Sequence, residues 1–379
     1  MAQIKQIFIV CGEPSGDLQA GELAKAIKKI DPQIKISGIG GESLSKTAAE
    51  IYRDIKNLSV FGFFEAIKKL PKFLELKRLI LNKITAIKPL GIILVDFSGF
   101  NLRLARAINK KIPVIYYISP QVWASRPGRI QTIKKYISKM IVLFKFEEDF
   151  YCRNNITADF VGHPLLDIVK PQNQKARILE EIKFSGANIT IALLPGSRKQ
   201  EIKNILPIML ETAKLINKKI TKLQFIIAKS ALVDFSVYGR FTKNLGFDLR
   251  IVEARTYDCL EAADFALVCS GTATLETAIM QKPFFIIYKM NRLNYLLYRP
   301  QVKIPFIGMV NIVAGKKLIP EFIQSQARPE KIAEEALALL NSPSKLDEMI
   351  KGLAEVKSQL GSPGAATRAA KIILDYLNK

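Results

Sequence analysis

The stretch Phe265-Ala266-Leu267-Val268-Cys269-Ser270-Gly271-Thr272-Ala273-Thr274-Leu275-Glu276 runs from consecutive apolar residues into hydroxyls and a glycine, then into a helical pattern. An unbroken apolar run of this length describes a strand covered on both faces, the kind found in parallel sheets. The turn after it gathers hydroxyls and backbone amides at a helix N-terminus, an arrangement that suits phosphate. Thr272 and Glu276 are four residues apart and share one helix face, so the glutamate can accept hydrogen bonds from ribose hydroxyls while the turn holds phosphate. Capping alone accounts for Ser270, Thr272 and Thr274, but less well for the glutamate. Nucleotide binding is the reading this turn favours.

The same alternation extends outward in both directions. Ile7–Val10, Ile92–Val95, Val114–Ile118, Met140–Leu143 and Asp159–Val161 read as buried strands in the first part; Ile189–Leu194, Leu223–Ile227, Leu249–Val252, Phe265–Val268 and Phe284–Tyr288 do so in the second. Helical patterns separate them, so each half forms an α/β doubly wound parallel sheet, and two Rossmann-like domains facing a cleft are expected. The seam lies near Val161-Gly162-His163-Pro164. Residues 1–164 form one domain and 165–349 another, with C-terminal helices over 350–379 packing back across the domains or exchanged in a dimer.

Ligands of such sheets bind beyond the carboxyl ends of the strands. Cys11-Gly12-Glu13-Pro14-Ser15-Gly16-Asp17 follows the first strand and is neither a Walker A loop nor G-x-G-x-x-G. Its two carboxylates would repel phosphate, so it suits sugar hydroxyls, unless Ser15 or Asp17 merely caps the helix. Leu194-Pro195-Gly196-Ser197-Arg198 offers a free backbone, a hydroxyl and a guanidinium with bidentate donors, a diphosphate clamp; a surface ion pair is the bland alternative for Arg198.

The composition narrows the partners. The 379 residues carry 57 Lys+Arg against 34 Asp+Glu, a formal net charge of +23, and one histidine. Up to Pro164 there are 26 basic and 14 acidic residues and beyond it 31 and 20, so the excess is no appended tail. A distributed positive field favours phosphorylated substrates, nucleic acid or an anionic membrane surface, although a lysine-rich proteome also contributes. No zinc finger, aromatic RNA-binding motif or arginine-rich arm argues for nucleic acid. The lone His163 excludes a His-based zinc site; in Gly-His-Pro it reads as a structural ring at a rigid link, with a general base as the rival. The four cysteines are scattered and read as reduced thiols of a cytosolic protein. The N-terminal apolar stretch is too short for a signal peptide, and no run reaches the ~18 residues of a membrane span. No metal or cofactor is called for. Trp123 reads as core more than as a ligand stack, and Lys289 is a weak candidate for phosphate contact.

One segment suits an interface. Phe61–Lys88 sets Phe63, Phe64 and Phe73 among Lys68, Lys69 and Lys72, with only Glu65 and Glu75 opposing. It reads as an amphipathic basic face on a membrane, against the plainer reading of an ordinary Rossmann helix pair.

Taken in order, Gly12–Asp17, Gly38-Ile39-Gly40-Gly41, Val60–Glu65, Asp96–Asn101, Tyr116–Ala124, Phe160–Pro164, Leu194–Arg198, Ser270–Glu276 and Asn311–Gly315 resemble the lipid-A-disaccharide synthase family of GT-B glycosyltransferases over nearly the whole chain. That resemblance implies transfer of a diacylglucosamine from a UDP-linked donor to the 6-hydroxyl of an acylated glucosamine 1-phosphate, with inversion. It implies that Gly196, Ser197, Arg198, Ser270, Gly271, Thr272, Thr274, Glu276 and Asn311 hold UDP, and that Ser15, Gly16, Asp17 and Asn101 meet the acceptor sugar. It also implies a protein peripheral on the cytoplasmic face of the inner membrane, with a homodimer as the oligomeric form to test. An in-line displacement needs a base for the hydroxyl and neutralisation of the departing diphosphate; no D-x-D sequence occurs to bring a metal. The family more often reads Asp-x-Pro-Asp-Phe-Asn where this chain has Asp96-Phe97-Ser98-Gly99-Phe100-Asn101, so its second aspartate is Gly99 here. Asp96 is the candidate base and Glu13 its rival. The alternative enzyme keeps the fold on a soluble UDP-sugar, as in a UDP-N-acetylglucosamine 2-epimerase.

Overall fold

The computed structural model describes residues 5–47, 49–57, 70–243, 245–291, 295 and 304–378. They divide into two compact units. The first takes the chain up to Pro164 and regains it from Leu360; the second holds the described residues between.

In the first unit the strands are β1 (Gln6–Val10), β2 (Lys35–Gly40), β3 (Glu50–Asp54), β4 (Gly91–Val95), β5 (Val114–Tyr117), β6 (Lys139–Val142) and β7 (Ala158–Phe160). All pair in parallel, in the order β3-β2-β1-β4-β5-β6-β7. One face of β1 and β4 (Phe8, Val10, Ile92, Leu94) packs with Leu76, Ile80 and Ile84 of the helix Leu70–Ile87. The other (Ile7, Ile9, Ile93, Val95) packs with Leu23, Ala24 and Ile27 of the helix Pro14–Ile30. Two-sided burial is the reason these strands carry no polar alternation.

The second unit repeats the plan with β8 (Ile189–Leu194), β9 (Leu223–Lys229), β10 (Leu249–Glu253), β11 (Phe265–Cys269), β12 (Phe284–Tyr288) and β13 (Glu321–Ile323). They are again parallel, in the order β10-β9-β8-β11-β12-β13. In each sheet the order reverses at one place, between β1 and β4 and between β8 and β11. Turns leaving neighbouring strands there diverge to opposite faces and leave a crevice.

Three strands lie outside the apolar runs. β3 and β13 are edge strands, and β2 is Lys-Ile-Ser-Gly-Ile-Gly. Gly38 of β2 lies so near β1 that a Cβ would stand 1.8 Å from the Ile9 carbonyl oxygen, so the strand pairs through its lack of a side chain.

The C-terminal segment divides later than the expected residue 350. The helix Pro343–Gln359 buries Met349, Leu353 and Val356 within the second unit, and the chain changes units at Leu360. The last helix, Ala365–Leu377, brings Ala369, Ala370 and Ile373 onto the core beside the helix Pro14–Ile30. Arg368 holds it there, with Nε donating to the Val161 carbonyl at 2.8 Å. Among the described residues no helix is long and apolar enough to cross a membrane.

Candidate active site

At the reversal point of the second unit, Leu194 at the end of β8, Gly196, Ser197 and Arg198 after it, and Ser270, Gly271, Thr272 and Glu276 after β11 line one cavity of about 440 Å³. Gly196 has φ +109°, and a Cβ there would stand 2.6 Å from Glu201 Oε2, so glycine lets Glu201 fold back over the turn. Glu201 Oε2 accepts from the amides of Ser197 at 3.1 Å and Arg198 at 3.3 Å, and its Oε1 lies 3.1 Å from Arg198 Nη1. Amides and guanidinium face an anion at the start of the helix Lys199–Asn217, which is what a diphosphate clamp provides.

On the opposite wall, partial burial raises the Glu276 carboxyl above the ordinary range while a hydrogen bond from the Tyr257 hydroxyl, at 3.3 Å, works against the shift. Thr274 stands behind this wall: it is fully buried and its Oγ1 donates to the Gly271 carbonyl at 2.8 Å, so it shapes the turn. Asn311 does not line the cavity. Its amide nitrogen donates to the Ile319 carbonyl and to Glu321 Oε1, both at 2.8 Å, and its oxygen accepts from the amides of Leu318 and Ile319. Those four bonds fasten the segment before β13, and they correct the expectation of a nucleotide contact.

Lys229, Ser230 and Thr256 also line the cavity. Lys229 ends the otherwise neutral strand β9, is only 4% exposed, and places Nζ 2.6 Å from Glu253 Oε1. A lone charge closing an apolar run beside β8 is the sequence signal that would have found it. A second hollow of about 280 Å³, reaching Lys170, Tyr257 and Asp258, shares Ala254, Thr256 and Glu276 with the first.

At the reversal point of the first unit stand Glu13, exposed after β1, and Asp96, after β4. Asp96 and Phe97 hold left-handed backbone angles, φ +47° and +48°, which turn the chain sharply at the strand end at a cost that the Cβ atom imposes on non-glycine residues. The bend is held from below: the Tyr116 hydroxyl donates to the Asp96 carbonyl at 2.6 Å and Asn101 Nδ2 donates to it at 2.8 Å. Burial, and then the charge of Glu13, push the Asp96 carboxyl up to about 6. Ser15 is exposed, and a Cβ added to Gly16 would stand 3.8 Å from Asp96 Cβ.

Two acceptor-sugar expectations give way here. Asn101 is wholly buried and serves the backbone under Asp96. Asp17 is 5% exposed, and its carboxylate accepts from the amides of Gly41 at 2.6 Å, Ser43 at 2.9 Å and Leu44 at 3.3 Å, tying the turn after β2 to the first helix. Phe73, expected at a membrane face, turns inward: its ring centroid lies 5.9 Å from that of Phe97 and 6.0 Å from that of Phe100. Lys72 is exposed beside it, while Phe63, Phe64, Lys68 and Lys69 lie outside the described residues. The His163 ring packs 5.0 Å from that of Phe144, and burial pushes its pKa down to about 4. The Trp123 indole donates to Glu147 Oε1 at 3.0 Å, and Lys289 is exposed after β12, off the cavity.

Two doubly wound parallel units, each with its candidate residues at the reversal point, have the GT-B architecture of glycosyltransferases. Solved structures share it: the S. aureus MnaA–UDP co-structure (TM-score 0.65, 13% identity, 99% of this chain and 97% of that one) and CalG4, the calicheamicin glycosyltransferase (TM-score 0.59, 15% identity, 100% and 99%). A UDP-GlcNAc 2-epimerase from Neisseria meningitidis has the fold as well, at TM-score 0.60 and 14% identity over 98% and 99%. Sequence similarity is more specific. The lipid-A-disaccharide synthase of Syntrophus aciditrophicus is 40% identical over 99% of this chain and 98% of its own, and that of Myxococcus xanthus 36% identical over 100% and 99%. The family model described as lipid-A-disaccharide synthetase matches residues 7–373, and the chain belongs to that family. It is a hexosyltransferase of lipid A biosynthesis.

Proposed function

We propose that the chain transfers 2,3-diacylglucosamine from its UDP-linked form to the 6-hydroxyl of 2,3-diacylglucosamine 1-phosphate, inverting the anomeric centre. The observation that carries the reading is the cavity between the β8 and β11 turns, where the Ser197 and Arg198 amides and the Arg198 guanidinium already hold a carboxylate. Charge develops on the departing diphosphate as the glycosidic bond breaks, and fixed donors lower the barrier without reorganising. Glu276 faces the same cavity and takes the ribose hydroxyls. Asp96 receives the proton of the attacking hydroxyl, since a carboxylate with a pKa of about 6 is ionised at neutral pH yet basic enough to accept it. Glu13 keeps that pKa raised and is the base to test next.

Acylated substrates live in a bilayer, and the exposed Lys72 and the 54%-exposed Leu74 support peripheral docking through the neighbouring segment. Flotation with anionic vesicles tests docking, and light scattering tests the homodimer and exchange of its last helix. The transfer itself is tested by incubating the protein with the acylated UDP-donor and monophosphate acceptor. UDP release matched by disaccharide is expected; UDP without disaccharide, or a 2-epimerised sugar, overturns the reading.

A further inference from the structure

Glu276 stands between two hollows. With Ala254 and Thr256 it lines both the cavity of the diphosphate clamp and the second hollow of about 280 Å³, whereas Tyr257 lines the second and not the first. The Tyr257 hydroxyl donates to Glu276 Oε1 at 3.3 Å, so the bond reaches the carboxylate from the side of the second hollow. Burial pushes the Tyr257 phenol up and the charge of Glu276 adds to it, so the hydroxyl keeps its proton and remains a donor. The backbone around the tyrosine is braced. Its neighbour Asp258, 1% exposed, accepts from the amides of Gln172 at 2.6 Å and Asn173 at 3.3 Å, and from Arg255 Nε at 2.8 Å. Arg255 in turn places Nη1 2.8 Å from Glu181 Oε2. These bonds tie the start of the helix Thr256–Ala262 to two other segments of the chain, and the phenol meets Glu276 from a fixed support.

A glutamate has several rotatable side-chain bonds, and one that its ligand must order weakens binding by the rotamer freedom lost. Holding it beforehand removes that loss. A carboxylate oxygen has two lone pairs, so Oε1 can keep the tyrosine bond and accept once more, while Oε2 is open to a ligand. Among the described residues no other side chain donates to Glu276. Resting on the ribose contact assigned to Glu276 above, we propose that Tyr257 is a positioning residue for the nucleotide: it holds the Glu276 carboxylate in the orientation that takes the ribose hydroxyls and does not itself touch the donor. A phenol that merely satisfies itself on the nearest carboxylate would make the same bond. The two roles separate in how the effect of losing the hydroxyl depends on the ligand.

Calorimetry on the full chain compares UDP with 2′,3′-dideoxy-UDP, which lacks both ribose hydroxyls. The wild type binds UDP more tightly. Tyr257→Phe keeps the ring, weakens UDP about 3–10-fold and leaves the dideoxy probe nearly unchanged. In a chain carrying Glu276→Ala, adding Tyr257→Phe changes neither probe, as expected of a residue that acts through another. In the transfer assay Tyr257→Phe raises the KM for the UDP-donor by a similar factor, while kcat and the KM for the acceptor stay. A Tyr257→Phe chain that binds UDP as the wild type does overturns the positioning role. Equal loss of both probes also overturns it and makes the hydroxyl a structural group. A further loss of UDP when Tyr257→Phe is added to Glu276→Ala overturns it as well, since the tyrosine then acts on the nucleotide directly. A wild type that does not distinguish the two probes removes the ribose contact of Glu276 and the role of Tyr257 with it. The expected probe binding in a chain that forms no disaccharide supports the role of Tyr257 and overturns the transfer reading alone.

Discussion

Glu201 closes over Arg198: its Oε1 lies 3.1 Å from the guanidinium Nη1 while its Oε2 accepts the Arg198 amide at 3.3 Å. The pair is partly exposed, with side chains 61% and 29% accessible, so it adds little to stability as an ion pair. Its interest is positional, because the carboxylate sits on the donors that a diphosphate needs.

If UDP takes these donors, its diphosphate has to displace Glu201. Glu201→Gln keeps an acceptor for the helix amides but removes the competing charge, and is expected to tighten UDP about 3–10-fold by calorimetry while leaving uridine unaffected. Arg198→Ala is expected to weaken UDP at least tenfold, by ~1.5–3 kcal/mol. Weaker UDP binding in Glu201→Gln would mean that the carboxylate orders the turn for the nucleotide rather than competing with it.

If Asp96 is the base, its ionised form is the active one. With the carboxyl pushed up to about 6, kcat/KM rises with pH through that value and levels above it. Asp96→Asn is expected to lose about 100-fold or more in kcat and to lose the acid limb of the profile. A surviving limb near 6 in that variant moves the role to Glu13. Glu13→Gln in an otherwise wild-type chain should shift the limb to lower pH, since the charge of Glu13 helps raise the Asp96 value.

Glu147 lies 3% exposed beneath Ser119 and Trp123, accepting from both at Oε1, at 2.7 Å and 3.0 Å. Burial pushes its carboxyl from 4.5 up to about 7. In that window the folded chain keeps a proton the unfolded chain has lost, so stability falls as pH rises through it. Glu147→Gln retains the acceptor and never ionises. Its stability relative to wild type is expected to climb between about pH 5 and about pH 8, by on the order of 3 kcal/mol at most, and its Tm with it. Parallel Tm curves for the two proteins would exclude this.

Asp17 acts on the fold and only indirectly on the sugar. Asp17→Asn turns an amide N–H2 toward backbone donors and is expected to cost ~2–4 kcal/mol in urea unfolding. KM for either substrate should stay normal wherever the variant is folded. Full stability with a raised acceptor KM would return Asp17 to the binding site.

Most of the parallel strands and the turns that follow them were legible residue by residue, because two-sided burial writes itself as an apolar run and a tight turn before a helix needs glycine and hydroxyls in place. Gly196, Arg198, Thr272 and Glu276 could be chosen on that basis, as could Asp96 at a strand end. Local pattern did not separate a polar side chain that faces a ligand from one that faces its own backbone. Asp17, Asn101, Thr274 and Asn311 occupy motif positions, yet each is bonded to main-chain groups within the fold, Asn311 also to Glu321. Nor did it show Lys229 entering the cavity, or the strands β2, β3 and β13, whose residues are too mixed to announce a strand. Membership of a strand buried on both faces, or of a tight turn, is set by neighbours along the chain, and so the sequence alone determined it. The direction and partners of a polar group depend on residues brought from tens of positions away, as Gly41 is brought to Asp17 and Glu253 to Lys229. That the packed tertiary structure alone decided.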